Sequence, residues 1–471
     1  MLSKEKQSAL LRRANGHQTI SIPNLRAAIN GSVILPGDTT YDQARTVFAG
    51  DVDRRPAAIV RVANAEDVSH VVALARETGL ELAVRSGGHS SAGHSLAEGG
   101  IVLDLRDMNR LDIDPDSRTA WAETGLTTGE YTAAAGAHGL ATGFGDTGSV
   151  GIGGITLGGG IGLLVRKHGL TIDNLLAADI VTADGRLRRV DQDHHPALFW
   201  AIRGGGGNFG VATRFKFQLH EVGDVVGGTL ILPATAGTIA GFIAAAEAAP
   251  DALSTIANVM PAPPMPVLPA AVHGELVLLA MIVYAGDVEA GQRALAPFRH
   301  LAEPLADLIQ TQPYPEIFPP EDGDYHPAAV AHTMFMDHID RDVATTILDY
   351  LRASTAPMRV AQLRVLGGAM ARVPNGATAF AHRHSRIMAN LAAFYDGPQE
   401  RAARREWVTA FAGDLHQDNT GAYVNFLGDE GRARVRAAYP GRTWDRLAAI
   451  KAHYDPSNLF RLNHNIPPDP L

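Results

Sequence analysis

The pattern of apolar and polar residues near the start of the chain predicts a short unit of strand, helix and strand. Residues 57–62 are mostly apolar, as expected of a buried strand. Asn64 then offers an N-cap, and Gly79 is placed to end the helix that follows. The run 81–86 predicts a second strand that leads into a glycine-rich loop. Between the two strands, apolar residues recur at helical spacing at Val68, Val71, Val72 and Ala75.

The spacing of apolar residues, every second residue in strands and every third or fourth in helices, predicts alternating strands and helices up to residue 220. Asp184 and Gly185 form a turn signal between two strand-like runs, which predicts a hairpin. Pro196 is placed to open a helix, and four consecutive glycines from Gly204 end it. The predicted strands are 101–105, 111–113, 119–123, 175–182, 187–190 and 211–219, and the predicted helices are 130–138 and 196–203.

Composition changes near residue 221, and the region that follows contains an alanine-rich helix and two proline clusters, at 261–269 and 313–320. Strands predicted at 276–284 and 331–336 alternate in this region with helices predicted at 238–248, 289–298 and 342–353. This alternation predicts a separate α+β domain over residues 221–414. The chain is then divided into an N-terminal part over 1–220, this second domain, and a C-terminal segment over 415–471.

Two glycine-rich stretches carry the strongest functional signal. The first reads Arg85-Ser-Gly-Gly-His89-Ser, and the second, residues 148–162, is more than half glycine. Each interior glycine costs a helix or strand about 0.5–1 kcal/mol relative to alanine, so this density indicates that something large lies against the backbone. Gly87 and Gly88 expose N–H groups that suit a pyrophosphate, although an ordinary tight turn accounts for two adjacent glycines equally well.

A third glycine cluster matches a nucleotide-binding fingerprint only as a string. Gly205-x-Gly207-x-x-Gly210 has the spacing of the dinucleotide motif, which follows a strand and opens a helix. In this chain the cluster follows a predicted helix and precedes a predicted strand. We therefore interpret it as a structural bend, and we do not expect a Rossmann fold.

Arg85-Ser-Gly-Gly-His89, Gly148-Ser-Val-Gly-Ile-Gly-Gly and Leu157-Gly-Gly-Gly together resemble the flavin-binding signature of the berberine-bridge-enzyme-like oxidoreductases, within the vanillyl-alcohol-oxidase superfamily. Tyr423-Val-Asn-Phe426 and the segment 454–466 resemble the C-terminal motif of the same family. The resemblance implies an α+β fold. Its two-lobed FAD-binding domain, of the vanillyl-alcohol-oxidase type, would be built from 1–220 and 415–471. A separate substrate domain over 221–414 would cover the flavin with its sheet.

The resemblance also implies which residues contact FAD. Residues 85–90 would wrap the diphosphate, and His89 would be joined covalently to the 8α-methyl group of the flavin. His94 would either contact the cofactor or cap the first loop, and both interpretations stay open. The implied cofactor contacts are Arg85, Ser86, Gly87, Gly88, His89, Ser90, His94, Ser95, Thr147, Gly148, Ser149, Val150, Gly151, Gly153, Gly154, Leu157, Gly159, Gly162, Ile180, Val181, Asn463, His464 and Asn465.

The chain contains no cysteine, which excludes disulfides, thiolate metal sites and cysteine nucleophiles. Many members of the family tether FAD a second time, through the cysteine of a Cys-x-x-Val-Gly loop. The matching loop here is Thr147-Gly-Ser-Val-Gly151, with Thr147 at the cysteine position. The resemblance therefore implies a single covalent link to FAD, through His89.

The sequence departs from the family pattern at the motif that is associated with removal of the substrate proton. The second tyrosine of the family motif Tyr-x-Asn-Tyr is replaced by Phe426, so another group must act as base if that tyrosine is the usual one. On a strand, His382, His384 and Arg386 would share one face, and a histidine titrates near neutral pH. Histidines flanked by arginines are, however, more often solvated surface residues. The candidates are Tyr423, Asn425, His382, His384, Arg386 and Asn390. For Tyr423, a role as a buried, hydrogen-bonded aromatic residue beside the flavin is favoured over a role as the base.

Val150 bears on the electron acceptor. In the family, valine just before the glycine of this loop is associated with oxidases and leucine with dehydrogenases, because a small side chain leaves room for dioxygen. The resemblance thus implies an oxidase that takes hydride from a CH–OH or CH–NH group of a small molecule and produces hydrogen peroxide. The alternatives are a dehydrogenase that uses another acceptor and a flavin-free binding protein of the same fold.

Charge and hydropathy argue against other classes of partner. The formal charge is −9, with no basic stretch typical of nucleic-acid binding. The longest apolar segment, 276–284, is far shorter than the ~20 residues that span a bilayer. The N-terminal residues lack the apolar core of a signal peptide. We expect a cytoplasmic protein whose partners are a small-molecule substrate and dioxygen, with no bound metal.

Overall fold

The computed structural model describes residues 10–13, 16–318 and 323–468. Its strands form sheets of four, five and eight strands and two short pairs. The strands are β1 (Leu10–Arg13), β2 (Gly16–Ser21), β3 (Ser32–Ile34), β4 (Ala58–Arg61), β5 (Leu82–Arg85), β6 (Ile101–Asp104), β7 (Leu111–Asp114), β8 (Thr119–Glu123), β9 (Leu140–Ala141), β10 (Leu175–Val181), β11 (Leu187–Val190), β12 (Val211–Gln218), β13 (His220–Glu221), β14 (Asp224–Pro233), β15 (Leu253–Pro261), β16 (Leu276–Tyr284), β17 (Ala306–Asp307), β18 (Gln310–Pro313), β19 (Ala329–Met336), β20 (Arg359–Val365) and β21 (Ile387–Phe394).

The α-helices alternate with these strands along most of the chain. They are α1 (Ile22–Ala28), α2 (Tyr41–Ala44), α3 (Ala65–Thr78), α4 (Thr128–Gly136), α5 (Ile152–Gly158), α6 (Val165–His168), α7 (Pro196–Ile202), α8 (Ala236–Ala248), α9 (Val288–Arg299), α10 (Arg341–Ala353), α11 (Ala369–Arg372), α12 (Arg401–Asp414), α13 (Arg432–Ala438) and α14 (Arg442–Tyr454). None of the helices in the described ranges has both the length and the apolar character needed to cross a bilayer.

The four-stranded sheet has the order β3-β4-β6-β5 and contains the predicted strand-helix-strand unit. The Asn64 side chain accepts hydrogen bonds from the backbone N–H groups of Glu66 and Asp67, both at 3.0 Å, which caps α3 as predicted. Gly79 ends the helix with a left-handed φ of 64°. Strand β5 then delivers the chain to the first glycine loop.

The five-stranded antiparallel sheet has the order β11-β10-β12-β8-β7. One face is apolar and fully buried, with Phe215 and Phe217 of β12 against Ala120 and Ala122 of β8. The predicted hairpin is confirmed, because β10 pairs with β11 on either side of the turn at Asp184 and Gly185. Helix α7 begins at Pro196, also as predicted.

The eight-stranded antiparallel sheet is built entirely from strands between Asp224 and Phe394, in the order β17-β14-β16-β15-β20-β21-β19, with β18 paired to β14. One face packs against α8, α9, α10 and α12 in the largest apolar core of the described chain. The other face is turned towards the glycine loops. The fold is therefore α+β, with a separate α+β unit whose sheet covers a site on the first lobe, which confirms the predicted fold class.

The C-terminal segment returns to the first lobe and is fixed there by one buried ion pair. Lys451 of α14 and Asp455 are both fully buried, with 2.7 Å between Nζ and Oδ2. Lys451 also donates to the carbonyls of Asn208 and Phe460. Asp455 accepts from the backbone N–H groups of Leu459 and Phe460, each at 2.8 Å. The motif Tyr454-Asp-Pro-Ser-Asn-Leu-Phe460 is thus folded around a single carboxylate.

Candidate active site

The two glycine loops predicted from the sequence line the same cavity, which has a volume of about 510 Å³. They touch each other directly. A Cβ on Gly87 would lie 2.2 Å from the nitrogen of Gly151, and one on Gly151 would lie 2.1 Å from the nitrogen of Gly87. Only glycine allows this approach, because no side chain fits between the two backbones. The eight-stranded sheet closes the other side of the cavity through β19, β20 and β21.

Most of the residues predicted to contact FAD line this cavity, whereas others support it from behind. Arg85 is the clearest difference from expectation, because its buried guanidinium pairs with Asp104 at 2.7 Å and does not reach the cavity. The predicted residues that line the cavity are Ser86, Gly87, Gly88, His89, Ser90, His94, Ser95, Thr147, Val150, Gly151, Gly153, Gly154, Leu157, Asn463 and His464. Among the described residues, those that do not line it are Arg85, Gly148, Ser149, Gly159, Gly162, Ile180, Val181 and Asn465.

The predicted residues that lie behind the cavity make structural contacts there. Gly162 packs so tightly that a Cβ would lie 1.2 Å from the carbonyl oxygen of Phe144. Gly148 accepts a hydrogen bond from the N–H of Gly129 at 2.9 Å, which holds the second loop against α4. Ile180 and Val181 are core residues of β10. These positions shape the loops without facing into the cavity.

The imidazole of His89 contacts Ser149 and Phe48 in the cavity wall. Its Nε2 lies 3.0 Å from Oγ of Ser149. Its ring stacks on the ring of Phe48, with centroids 4.4 Å apart and planes inclined by 18°. Phe48 also donates a backbone hydrogen bond to the carbonyl of Gly88 at 3.2 Å. Sequence reasoning missed Phe48, because it lies in an irregular segment about forty residues before the loop.

The third glycine cluster also lines the cavity, so its interpretation as a structural bend was incomplete. The cluster does follow α7 and precede β12, as predicted, but Gly206, Gly207 and Gly210 face the cavity. Asn208 ties the cluster to the C-terminal segment, since its amide donates to the carbonyl of His464 at 3.2 Å and accepts from the N–H of Ile466 at 2.9 Å. The run of four glycines was the signal that could have identified this wall.

Two histidines meet at the part of the cavity formed by the C-terminal segment. His94 and His464 pack edge to face, with ring centroids 4.8 Å apart. Burial lowers the pKa of His94 to about 3 and the pKa of His464 to about 4. Both rings are therefore neutral at pH 7, and the ring of His464 also hydrogen-bonds the backbone of Leu427. The two histidines thus face a bound ligand as uncharged polar groups.

The sheet that covers the cavity carries a row of polar side chains. Asn258, Gln362, Asn390 and Thr333 are register partners across β15, β20, β21 and β19. Gln362 donates to Oδ1 of Asn258 at 3.0 Å and accepts from Arg364 at 2.9 Å. Sequence reasoning named only Asn390 in this row, because the pairing of four distant strands cannot be obtained from local patterns.

Arg364 links this row to the second glycine loop. Its guanidinium donates to Oδ2 of Asp146 at 2.9 Å and to the carbonyl of Ile161 at 3.3 Å. It also lies over the ring of Phe426 at 5.2 Å. Asp146 is the one carboxylate among the described residues that line the cavity. Within those residues its Oδ1 accepts no hydrogen bond, and 23% of its side chain is exposed.

Tyr423 and Asn425 both line the cavity, where they brace the second loop. The hydroxyl oxygen of Tyr423 accepts hydrogen bonds from the N–H groups of Gly160 and Ile161, at 3.0 and 3.2 Å, and from the amide of Asn425 at 2.9 Å. Asn425 also donates to the carbonyl of Ile155 at 3.0 Å. Burial raises the pKa of Tyr423, and these hydrogen bonds oppose that effect.

The predicted strand carrying His382 and His384 is wrong. Strand β21 begins only at Ile387, and the residues before it form a turn. His384 and Arg386 are exposed. His382 is buried against Phe335, and its Nε2 lies 3.2 Å from the carbonyl of Ala438. Neither histidine is among the described residues that line the cavity. His382 is therefore a hydrogen-bonded core residue.

The cavity fits a large ligand with hydrogen-bond donors of its own. Its walls are rich in exposed glycine backbone, and its volume lies in the range of about 300–1,000 Å³ usual for cofactor sites. The Oδ1 atoms of Asn390 and Asn463 are buried, line the cavity and have no partner in the described chain. Such orphaned acceptors cost about 1–3 kcal/mol each unless a ligand satisfies them, so they fit bound groups that donate hydrogen bonds.

Comparison with known proteins also indicates FAD as the cofactor. A family model described as an FAD binding domain matches residues 56–191, and one described as berberine and berberine like matches residues 422–467. An uncharacterized FAD-linked oxidoreductase of Bacillus subtilis is 31% identical over 453 residues, which cover 93% of this chain and 98% of the relative. (R)-6-hydroxynicotine oxidase of Paenarthrobacter nicotinovorans is 30% identical over 470 residues, covering 94% and 98%.

A solved structure extends the likeness to the whole fold. The crystal structure of 6-hydroxy-D-nicotine oxidase from Arthrobacter nicotinovorans superposes with a TM-score of 0.84 at 27% identity, covering 97% of this chain and 100% of that one. The two family models contain the motifs around which the cavity is built, namely the two glycine loops and the pair Tyr423 and Asn425. The chain therefore belongs to the berberine-bridge-enzyme-like FAD-linked oxidoreductases.

Proposed function

We propose that this enzyme is an FAD-dependent oxidase that takes hydride from a CH–OH or CH–NH group of a small organic molecule and passes the electrons to dioxygen, giving hydrogen peroxide. The observation that carries the proposal is a single cavity with two different walls. Glycine backbone and His89 form one wall, and the polar row of the covering sheet forms the other. One wall suits a flat cofactor and the other suits a polar substrate.

The glycine loops, His89, Asn463 and His464 would hold FAD. When bound, FAD accepts the hydride and delivers the electrons to the acceptor. The covering sheet would bind the substrate, with the orphaned Oδ1 of Asn390 accepting a hydrogen bond from its O–H or N–H group. Gln362 is held in one orientation by Asn258 and Arg364, so it would present a fixed edge to the substrate.

Asp146 would accept the proton that the substrate loses. Tyr423 is poorly suited to this role, because its oxygen already accepts three hydrogen bonds and burial raises its pKa. His94 and His464 lie by the C-terminal segment, and their lowered pKa values make them weak bases at neutral pH. Asp146 lies beside the polar row, and Arg364 orients it through Oδ2 while Oδ1 faces no partner in the described chain.

Dioxygen as acceptor is favoured by the small side chain at position 150. Val150 lines the cavity on the loop that also carries Ser149 and Gly151. A valine there leaves more free space over a bound flavin than a leucine would. The name of the related (R)-6-hydroxynicotine oxidase is in keeping with this acceptor and with a CH–NH substrate.

The experiment is a two-step redox assay on the purified holoprotein. The protein should be yellow, and after anaerobic photoreduction its flavin should reoxidise within seconds in air-saturated buffer, with stoichiometric hydrogen peroxide in a peroxidase-coupled assay. Reoxidation that takes many minutes in air but is immediate with an artificial quinone acceptor would identify a dehydrogenase. Protein that stays colourless when supplied with FAD would contradict the proposal as a whole.

A further inference from the structure

The hydrogen bond between Ser149 and His89 joins the two glycine loops at the residue predicted to carry the flavin. Ser149 is not among the described residues that line the cavity, and its hydroxyl contacts His89, which does line it. The ring of Phe48 covers one face of the imidazole. The imidazole is therefore restrained twice, in its plane by the hydroxyl and in its tilt by the aromatic ring.

We propose that Ser149 is a positioning residue for the covalent attachment of FAD to His89. This inference rests on the proposed function, because it assumes that FAD occupies the cavity. In a neutral imidazole one nitrogen carries the proton and the other carries the lone pair. When Nε2–H donates to Oγ of Ser149, the lone pair is on Nδ1, and Nδ1 is then the nitrogen that bonds to the flavin.

The attachment balances with dioxygen as the only co-reactant. The 8α-methyl carbon of the flavin loses one hydrogen, the imidazole loses its N–H proton, and a C–N bond forms between that carbon and Nδ1. Two electrons remain on the flavin and pass to dioxygen, which is reduced to hydrogen peroxide. The proton lost by the imidazole is the one on Nε2, so Ser149 lies where that proton must leave.

Phe48 and Thr147 have roles that differ from the role proposed for Ser149. Thr147 occupies the position at which relatives carry a second tether, and a threonine hydroxyl cannot replace a thiolate there. Because His89 is the single expected point of attachment, the orientation of its ring decides whether a covalent bond to FAD forms. Phe48 restrains the ring by contact but cannot select a tautomer, because stacking involves neither nitrogen. The hydroxyl of Ser149 bonds a ring nitrogen, so it can favour one tautomer.

The experiment compares Ser149→Ala, Ser149→Thr and wild type, with Ser69→Ala as a matched control, since the Ser69 hydroxyl bonds within α3 away from the cavity. Each protein is saturated with FAD. Total flavin is measured by absorbance, and covalent flavin is measured by in-gel fluorescence after trichloroacetic acid precipitation. Mass spectrometry and NMR of the flavin peptide identify the bonded nitrogen.

We expect S149A to bind FAD but to form the covalent bond at least about tenfold more slowly than wild type, which corresponds to about 1.4 kcal/mol in the barrier. S149T should restore the rate, S69A should match wild type, and the bond should be to Nδ1. An unchanged rate in S149A, a bond to Nε2, or release of all wild-type flavin by acid would overturn the inference while leaving the oxidase proposal intact. A wild-type protein that binds no FAD would overturn both.

Discussion

Gly87 and Gly151 are packed backbone to backbone, with space for no Cβ on either residue. Gly87 lies in the bend after β5 and Gly151 is the N-cap residue of α5, so the contact joins two segments that are 64 residues apart in the sequence (151 − 87 = 64). The hydrogen bonds from Ser86 to the carbonyl of Thr124 and from the N–H of Gly153 to Ser86 reinforce it. The wall of the cavity therefore exists only as long as both loops keep this approach.

Replacing Gly87 with alanine should open the cavity wall. Overpacking of this kind costs about 1–3 kcal/mol, and here the loops can relieve the clash only by separating. We expect G87A to unfold at lower urea concentration and to retain less FAD on gel filtration than wild type. Gly413→Ala is the control, because no atom lies within 4 Å of a Cβ at this exposed position of α12. Its stability should stay equal or rise by up to about 1 kcal/mol.

Replacing Lys451 with methionine should destabilise the C-terminal segment. The change leaves the carboxylate of Asp455 buried without its cation, and breaking a buried pair in this way costs about 3–5 kcal/mol. The free energy of unfolding, measured by urea titration, should fall by that amount. Arg352→Met removes one partner of an exposed ion pair with Asp349 and should cost no more than about 1 kcal/mol. Equal losses in the two variants would contradict the role given to the buried pair.

The sequence predicted the parts of the site that depend on local backbone chemistry. Both ends of helix α3 were predicted, because Asn64 and Gly79 cap the helix through contacts with residues close to them in the sequence. Both glycine loops were predicted because so much glycine destabilises any helix or strand and is useful mainly where a ligand must approach the backbone. The direction of the Arg85 side chain was not predictable, since its partner Asp104 lies on the neighbouring strand β6. Such cross-strand pairing is a property of the assembled sheet.

The substrate side of the cavity was harder to predict for the same reason. Asn258, Gln362 and Asn390 are separated by many residues and become neighbours only through sheet register. His382 and His384 drew attention instead, because alternation over a few residues resembles a strand even where the chain turns. The alternating residues just before β21 were thus mistaken for the start of that strand. As a result, His382, which is buried, and His384, which is exposed, were assigned to the same face.

Acid should destabilise the protein partly through His382. Burial lowers the pKa of His382 to about 4, below its ordinary value of 6.5. Between these pH values the unfolded chain binds a proton there and the folded chain does not. The contribution of neutral His382 to the free energy of unfolding is therefore complete above pH 6.5. It is lost as the pH falls to about 4, at about 1.4 kcal/mol per pH unit.

His382→Gln removes this titration, because glutamine has no ionisable group in this range. The variant should be less stable than wild type at pH 7, and the difference in unfolding free energy should shrink steadily as the pH is lowered from 6.5 to 4.5. Urea titrations at five pH values would measure it. A difference that stays constant over the whole range would show that the buried imidazole does not govern the acid response.

Enlarging Val150 should slow the reaction with dioxygen. Val150→Leu adds one methylene to the cavity wall, which narrows the space left beside a bound flavin. After anaerobic photoreduction, reoxidation in air should be slower by about tenfold or more, equivalent to about 1.4 kcal/mol. The rate with an artificial quinone acceptor should change little. Val150→Ala should reoxidise at least as fast as wild type, and a slow alanine variant would rule out a steric cause.

Asp146→Asn tests the proton acceptor with little change of shape. Asparagine can still accept a hydrogen bond from Arg364, so the variant removes basicity and keeps the contact that links the loop to the covering sheet. A substrate is first found by screening alcohols and cyclic amines for anaerobic bleaching of the wild-type flavin. Reduction by that substrate should then be slower in D146N by about 10²–10⁴-fold, the usual contribution of a general base.

Photoreduction, reoxidation in air and covalent flavin content should be the same in D146N and wild type, because none of them uses the substrate proton. Asp251→Asn is the matched control, since Asp251 pairs with Arg372 on the surface away from the cavity, and it should reduce at the wild-type rate. If D146N raises the substrate concentration for half-maximal rate without lowering the maximal rate, Asp146 binds the substrate and another group takes its proton. Tyr423 already accepts three hydrogen bonds, and burial lowers the pKa values of His94 and His464, so solvent would then be the expected proton acceptor.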